Sequence, residues 1–150
     1  MKLKVIVGNG GKITLFTLSF MIIGLTLNFI FPDFFRVSSS VLLRVISFII
    51  LIVGIIVWIW SVVLILTKVP RKELMIKGPY SIVKHPLYTG VALLVLPWLG
   101  FLFNTWIGVV FGIILYIGTR IYSPGEEEIL ANYFGAAWNE YCNKVKLPWL

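Results

Sequence analysis

The apolar positions of this chain gather into long charge-free runs. Residues 13–31 hold no charge over 19 positions, and residues 45–66 none over 22. As helices rising 1.5 Å per residue they reach about 28 and 33 Å, enough to cross a hydrocarbon core of about 30 Å. A third run, 86–119, has no Asp, Glu, Lys, Arg or His over 34 residues, too many for one crossing. It contains a natural break at Phe103-Asn104-Thr105-Trp106, two polar residues between aromatic flanks, as expected where a tight hairpin meets lipid headgroups. Spans at 87–103 and 106–122 are predicted on either side. Pro97, inside the first of them, predicts a kink.

A different pattern follows the last run. Ser123-Pro124-Gly125-Glu126 reads as a capping box with proline at the first helical position. Beyond it Glu127, Leu130, Phe134, Ala137 or Trp138, Tyr141 and Val145 recur at helical spacing. A fresh amphipathic helix is therefore predicted after the last span, packing back on the membrane face or on the 67–86 connection. The fold class is all-α and membrane-embedded: four spans, the third and fourth a hairpin, plus this C-terminal helix on the cytoplasmic side, in one domain of 150 residues.

Composition agrees. Hydrophobic residues make up 59% and charged ones 13%, against roughly 45–50% and about 25% in a soluble domain. A cytosolic globular enzyme, a disordered tail and a disulfide-stapled secreted module are excluded. The lone Cys142 cannot bridge within the chain, and no cluster has metal-ligand spacing.

The net charge of +7 is read as topology and anionic headgroups rather than nucleic acid, since no basic run is interleaved with stacking aromatics. Four spans place eleven of the thirteen Lys and Arg on one side: Lys2, Lys4 and Lys12, then Lys68, Arg71, Lys72, Lys77 and Lys84, then Arg120, Lys144 and Lys146. Arg36 and Arg44 face the other side. The positive-inside rule puts both termini and the 67–86 connection in the cytoplasm. A cleaved leader does not fit, because the first run exceeds a normal leader core and no small-x-small site follows.

Polar chemistry collects on the same side. The connection holds Lys77-Gly78-Pro79-Tyr80 and then Lys84-His85-Pro86-Leu87-Tyr88-Thr89-Gly90. Pro86 suits the first turn of the third span, leaving His85 at its mouth, and Gly90 permits a close approach. Two readings are open here: a binding site, or an interfacial anchor, since Lys, His and Tyr all favour headgroup depth. Glu126, Glu127 and Glu128 likewise suit either a site or a helix amino terminus. Gly108-x-x-x-Gly112 reads as helix packing alone.

Taken together, Leu74, Gly78-Pro79-Tyr80, Lys84-His85-Pro86, Tyr88 and Gly90 resemble the loop motif of the isoprenylcysteine carboxyl methyltransferase family, to which the phospholipid methyltransferases are related. The second half of that signature follows in order: Glu126-Glu127, Leu130, Phe134-Gly135, Tyr141 and Val145-Lys146-Leu147-Pro148. The resemblance implies an integral-membrane enzyme that transfers a methyl group from S-adenosylmethionine (SAM), releasing S-adenosylhomocysteine (SAH), to a lipophilic or prenylated acceptor entering from the bilayer. It implies a cofactor pocket built from residues 74–90 and 120–148, holding Lys84, His85, Tyr88, Gly90 and Glu126, with Gly78 and Tyr80 shaping its wall. Glu127 is implied there or in catalysis; Arg120 is outside the motif and is a catalytic candidate from its charge at the end of the last span, a place where topology alone also favours a positive residue. Lys84 stands where the family usually has arginine, so a bidentate contact becomes a point charge; Trp138 stands where tyrosine is common.

The chemistry of the donor fits these residues. Lys84, His85 and Arg120 can hold its carboxylate, and Glu126 or Glu127 its ammonium or ribose. A carboxylate acceptor needs no base, whereas an amine must first lose a proton, which a glutamate can take. Two other activities are weighed against methyl transfer. Membrane reductases with a similar His-Pro-x-Tyr-x-Gly region carry more spans than this chain holds, and a proton-coupled exporter needs an ionisable residue inside a span.

Overall fold

Where the sequence carries long apolar runs, the computed structural model has long helices, as a medium without water requires of backbone groups that must satisfy one another. It describes residues 10–38 and 40–148; Lys2 and Lys4, counted above toward the positive side, lie outside them. Helix α1 is Gly10–Ile30 and α2 is Val41–Lys68, capped by Ser40, whose hydroxyl accepts from Leu43 N–H at 3.1 Å. Helix α3 is Pro86–Leu102, α4 is Ile107–Phe134 and α5 is Ala136–Lys144. Among the described residues there is no strand, only an isolated bridge between Arg36 and Thr105. Hydroxyls within the apolar helices turn inward on their own backbone: Ser47 donates to Leu43 O, Ser61 to Val57 O and Thr119 to Leu115 O, at 2.7–2.8 Å.

Three helices, α1, α2 and α4, are long and apolar enough to cross a membrane. α3 is a shorter apolar helix. At 17 residues it reaches roughly 25 Å. The kink expected at Pro97 takes a definite form, because residues Val91–Val95 widen into a π-turn just before it. A proline ring collides with the carbonyl four residues back, here that of Leu93, and the wider turn makes room.

One expectation is overturned. The last span does not stop at residue 122, and Ser123-Pro124-Gly125-Glu126 does not start a new helix; α4 runs unbroken through Pro124 to Phe134. Proline forfeits a single bond, to the carbonyl of Arg120, and both residues lie on the exposed side of the helix. The break comes instead at Gly135, whose φ of 54° and ψ of −123° favour glycine. With 28 residues, α4 is about 42 Å long, so its charged last third extends past a core of about 30 Å.

Small residues set the packing. α2 lies against α3, α3 against α4, and α4 against α1. Ser47, Gly54 and Ser61, seven apart, form the buried stripe of α2, and a Cβ added at Gly54 would sit 2.8 Å from Leu94 O. Gly108 and Gly112 pack on α3 as their spacing predicts: added Cβ atoms would overlap the carbonyls of Leu96 and Ala92. The outer faces carry exposed Leu15, Ile22, Phe29, Phe48 and Ile56, a lipid-compatible surface.

The two ends of the helix assembly differ. At one end the last turn of α1 and the segment after it dock on the α3–α4 hairpin: Val37 N–H donates to Asn104 O (2.9 Å), Trp106 N–H to Phe35 O (3.0 Å) and Thr105 Oγ1 to Asn28 Oδ1 (2.8 Å). Asn104 takes the left-handed conformation the tight turn needs. At the other end the α2–α3 connection meets the extension of α4 and the C-terminal segment.

Candidate functional site

His85 immediately precedes α3, with Pro86 supplying the first helical position. This holds Lys84 and His85 at the helix mouth, facing the charged extension of α4. Lys84 Nζ reaches Glu127 Oε2 at 2.7 Å, and His85 Nε2 lies 3.2 Å from Glu127 Oε1. An ionised carboxylate can only accept, so the latter bond places the proton on Nε2. The other ring nitrogen, Nδ1, lies 3.9 Å from Glu126 Oε2. One histidine thus stands between two adjacent carboxylates, and one carboxylate joins histidine to lysine.

These groups are largely withdrawn from solvent, with side-chain exposures of 12–27%. Burial alone would raise the Glu127 pKa. The hydrogen bond from His85, and after it that from Lys84, outweigh burial and hold it down at about 2. Glu127 is therefore a committed anion at neutral pH.

Around them lies a cavity of about 150 Å³. Its floor is the start of α3 (Leu87, Tyr88), and its sides are the end of α2 with the residue just after it (Ile65, Val69) and the extension of α4 (Glu126, Leu130). The roof is Leu74 of the connection with Trp138 and Tyr141 of α5. Trp138, Tyr141 and Val145 form a buried cluster against which Leu74, Leu130 and Phe134 pack. Two ties close the roof: Tyr141 Oη donates to Tyr80 O at 2.9 Å, and Leu147 N–H to Ile82 O at 2.8 Å. Burial raises the hydroxyl pKa values of both Tyr80 and Tyr141, so both stay protonated.

A second, more open and polar cavity adjoins the first. It is lined by Lys84, Arg120, Ser123, Pro124, Glu127 and Pro148. Positions 120, 123, 124 and 127 share one face of α4, while 126, 129, 130 and 134 share the neighbouring face toward the main cavity. The Lys84–Glu127 pair forms part of the boundary between the two.

Of the residues the sequence singled out, Tyr80, Lys84, His85, Tyr88 and Glu126 line the main cavity. Glu127 reaches it through its partners and lines the second cavity, and Arg120 lines only the second. Gly78 and Gly90 line neither. Gly78, at φ 64°, sits against Trp60, and a Cβ at Gly90 would meet Val57 Cγ1 at 3.3 Å, so close packing accounts for both glycines. Sequence reasoning left Ile65 and Val69 unmarked, since nothing separates Ile65 from the rest of an apolar span and Val69 is an apolar residue of the connection that no motif includes. Leu74, Leu130, Phe134 and Tyr141 were present in the motif and the helical periodicity but received no place in the site.

The model of the isoprenylcysteine carboxyl methyltransferase (ICMT) family matches residues 38–132. No curated protein and no solved structure matches the chain. The matched stretch includes Lys84, His85, Glu126 and Glu127; α1 and α5 lie outside it.

Proposed function

The chain belongs to the isoprenylcysteine carboxyl methyltransferase family, and on that premise we propose that it is a membrane methyltransferase using SAM to esterify the carboxylate of a prenylated cysteine or similar isoprenoid acid. The observation that carries this reading is the bridge from Glu127 to Lys84 and His85 beside an aromatic and aliphatic cavity.

The residues present suit the cofactor. Leu74, Tyr88 and Trp138 offer flat or apolar surface for a purine and ribose; Glu126 faces the same space as a hydrogen-bond acceptor for hydroxyls or an ammonium; Lys84 and His85 offer positive charge to a carboxylate. When bound, the cofactor supplies an electrophilic methyl group. The chain's own residues supply alignment, which provides much of the acceleration in an in-line displacement. Arg120, in the second cavity across the Lys84–Glu127 pair, is placed to orient the acceptor's carboxylate, with Glu127 fixing Lys84 between the two ligands. Gly78 and Gly90 act from behind, by letting the walls close.

The same geometry favours a carboxylate over an amine acceptor. A carboxylate held down at about 2 by two partners is a weak base and does not readily take an ammonium proton, while an acid acceptor is already ionised.

Four crossings follow if α3 spans as well, with both termini and the site on the cytoplasmic side and residues 74–90 and 120–148 forming the pocket of a single domain. The Lys and Arg distribution supports this orientation. So does the docking of residues 31–38 on the hairpin at the opposite end from the site.

The test is transfer of a labelled methyl group from SAM to a prenylated cysteine with a free carboxyl, beside the same compound blocked as an amide and a phosphatidylethanolamine. Labelling of the free acid alone is expected. Labelling of the phospholipid amine instead would replace the carboxylate reading with N-methylation.

A further inference from the structure

Helix α1 lies outside the family-matched stretch, yet its buried face ends against the site. That face is Gly10, Ile13 and Thr17, one side of a helix at spacings of three and four. Ile13 is fully buried in a cluster with Ala92 of α3 and Leu115 of α4, and Tyr88 packs on that cluster. One turn earlier, Gly10 leaves room for the Tyr88 hydroxyl: a Cβ there would overlap Oη, while Cζ would stay 3.7 Å away. Gly11, next to it in the same turn, faces open space, and a Cβ there meets nothing within 4 Å. Tyr88 in turn lines the main cavity.

We propose that Gly10, in the first turn of α1, stands behind the cofactor pocket as a positioning residue for its wall, setting the Tyr88 ring by yielding space to its hydroxyl. A side chain at position 10 must push the phenol away from α1, and the free volume on its other side is the cavity. The ring then occupies space that the cofactor reading assigns to SAM, on which this inference rests. The main requirement at position 10 is the absence of a Cβ, not glycine flexibility, because the residue is helical.

Gly10→Ala, Gly11→Ala, Tyr88→Phe and the Gly10→Ala/Tyr88→Phe double variant, each in the full-length protein in detergent, separate the possibilities. Both alanines lie in the first turn of α1, so Gly11→Ala controls for a change in helix propensity there. Gly10→Ala is expected to weaken SAH binding by about tenfold, the scale of one lost contact, and to raise the KM for SAM without moving that for the acceptor. Gly11→Ala should match the wild type, and the double variant should match Tyr88→Phe alone. Equal affinities in the two alanine variants, or a double variant no better than Gly10→Ala, would overturn the proposal. Wild-type protein that fails to bind SAH would refute the cofactor reading instead. The melting temperatures of the Gly10/Tyr88 cycle would then decide the contact itself: non-additive shifts support it and additive shifts remove it. Loss of folding in Gly10→Ala that Tyr88→Phe restores counts in favour; loss that it does not restore counts against.

Discussion

A single carboxylate, Glu127, joins the two halves of the site, and its surroundings say what its removal does. It accepts from Lys84 and His85 across more than forty residues of chain, and hydrogen bonds to charged groups are worth about 1.5–3 kcal/mol each. Glu127→Gln keeps the shape and removes the charge. It should weaken SAH binding by about 10- to 100-fold and depress methyl transfer at least as much, as read by calorimetry and labelled turnover. The same residue sets an acid limit. Because folding lowers its pKa from the ordinary 4.5 to about 2, its stabilisation is complete above 4.5 and fades as pH falls toward 2. Wild-type protein should lose more melting temperature across that window than Glu127→Gln; parallel profiles would show that the bridge contributes nothing. Lys84, His85 and both glutamates were legible in the sequence because the motif places them together. The bond from Tyr141 to Tyr80 was not, because it joins residues 61 apart through a backbone carbonyl, which leaves no mark on residue identity.

Among the elements, the spans with unbroken apolar runs were readable to within a few residues, since nothing competes with a charge-free helix in lipid. The end of α4 was misread for a local reason: Ser-Pro-Gly-Glu satisfies every preference of a helix start, yet α4 accommodates Pro124 on its exposed side and Gly135 makes the turn. The helix contacts test the packing. Gly108→Ala puts a methyl group into the carbonyl of Leu96 and should destabilise the protein by about 1–3 kcal/mol, the usual cost of overpacking. Gly135→Ala should lower thermal stability through backbone strain at φ 54°, although its Cβ would meet nothing within 4 Å. Tyr141→Phe should loosen the roof by about 1 kcal/mol, read as faster hydrogen exchange at residues 78–83 with the spans unaffected.

At the scale of the whole molecule, the candidate site occupies one charged end of an apolar assembly. Loops 31–38 and 103–106 close the far end with aromatic and backbone contacts and one exposed ion pair, Asp33–Arg36, whereas the ionic groups withdrawn from solvent lie at the end where α4 extends past its apolar part. Orientation is testable in a Cys142→Ser background: Lys77→Cys should react with a membrane-impermeant maleimide only from the cytoplasmic side, and Arg36→Cys only from the other. Reaction of both from one face would contradict four crossings. The central claim, that the Glu127–Lys84–His85 bridge builds a SAM pocket, is met most directly by calorimetric titration of SAH into the purified protein and its His85→Ala and Glu127→Gln variants. Saturable binding to the wild type that is lost or strongly weakened in both variants, each still folded, is the predicted result. Folded wild-type protein that binds no SAH, or variants that bind it as tightly as wild type, would contradict the account.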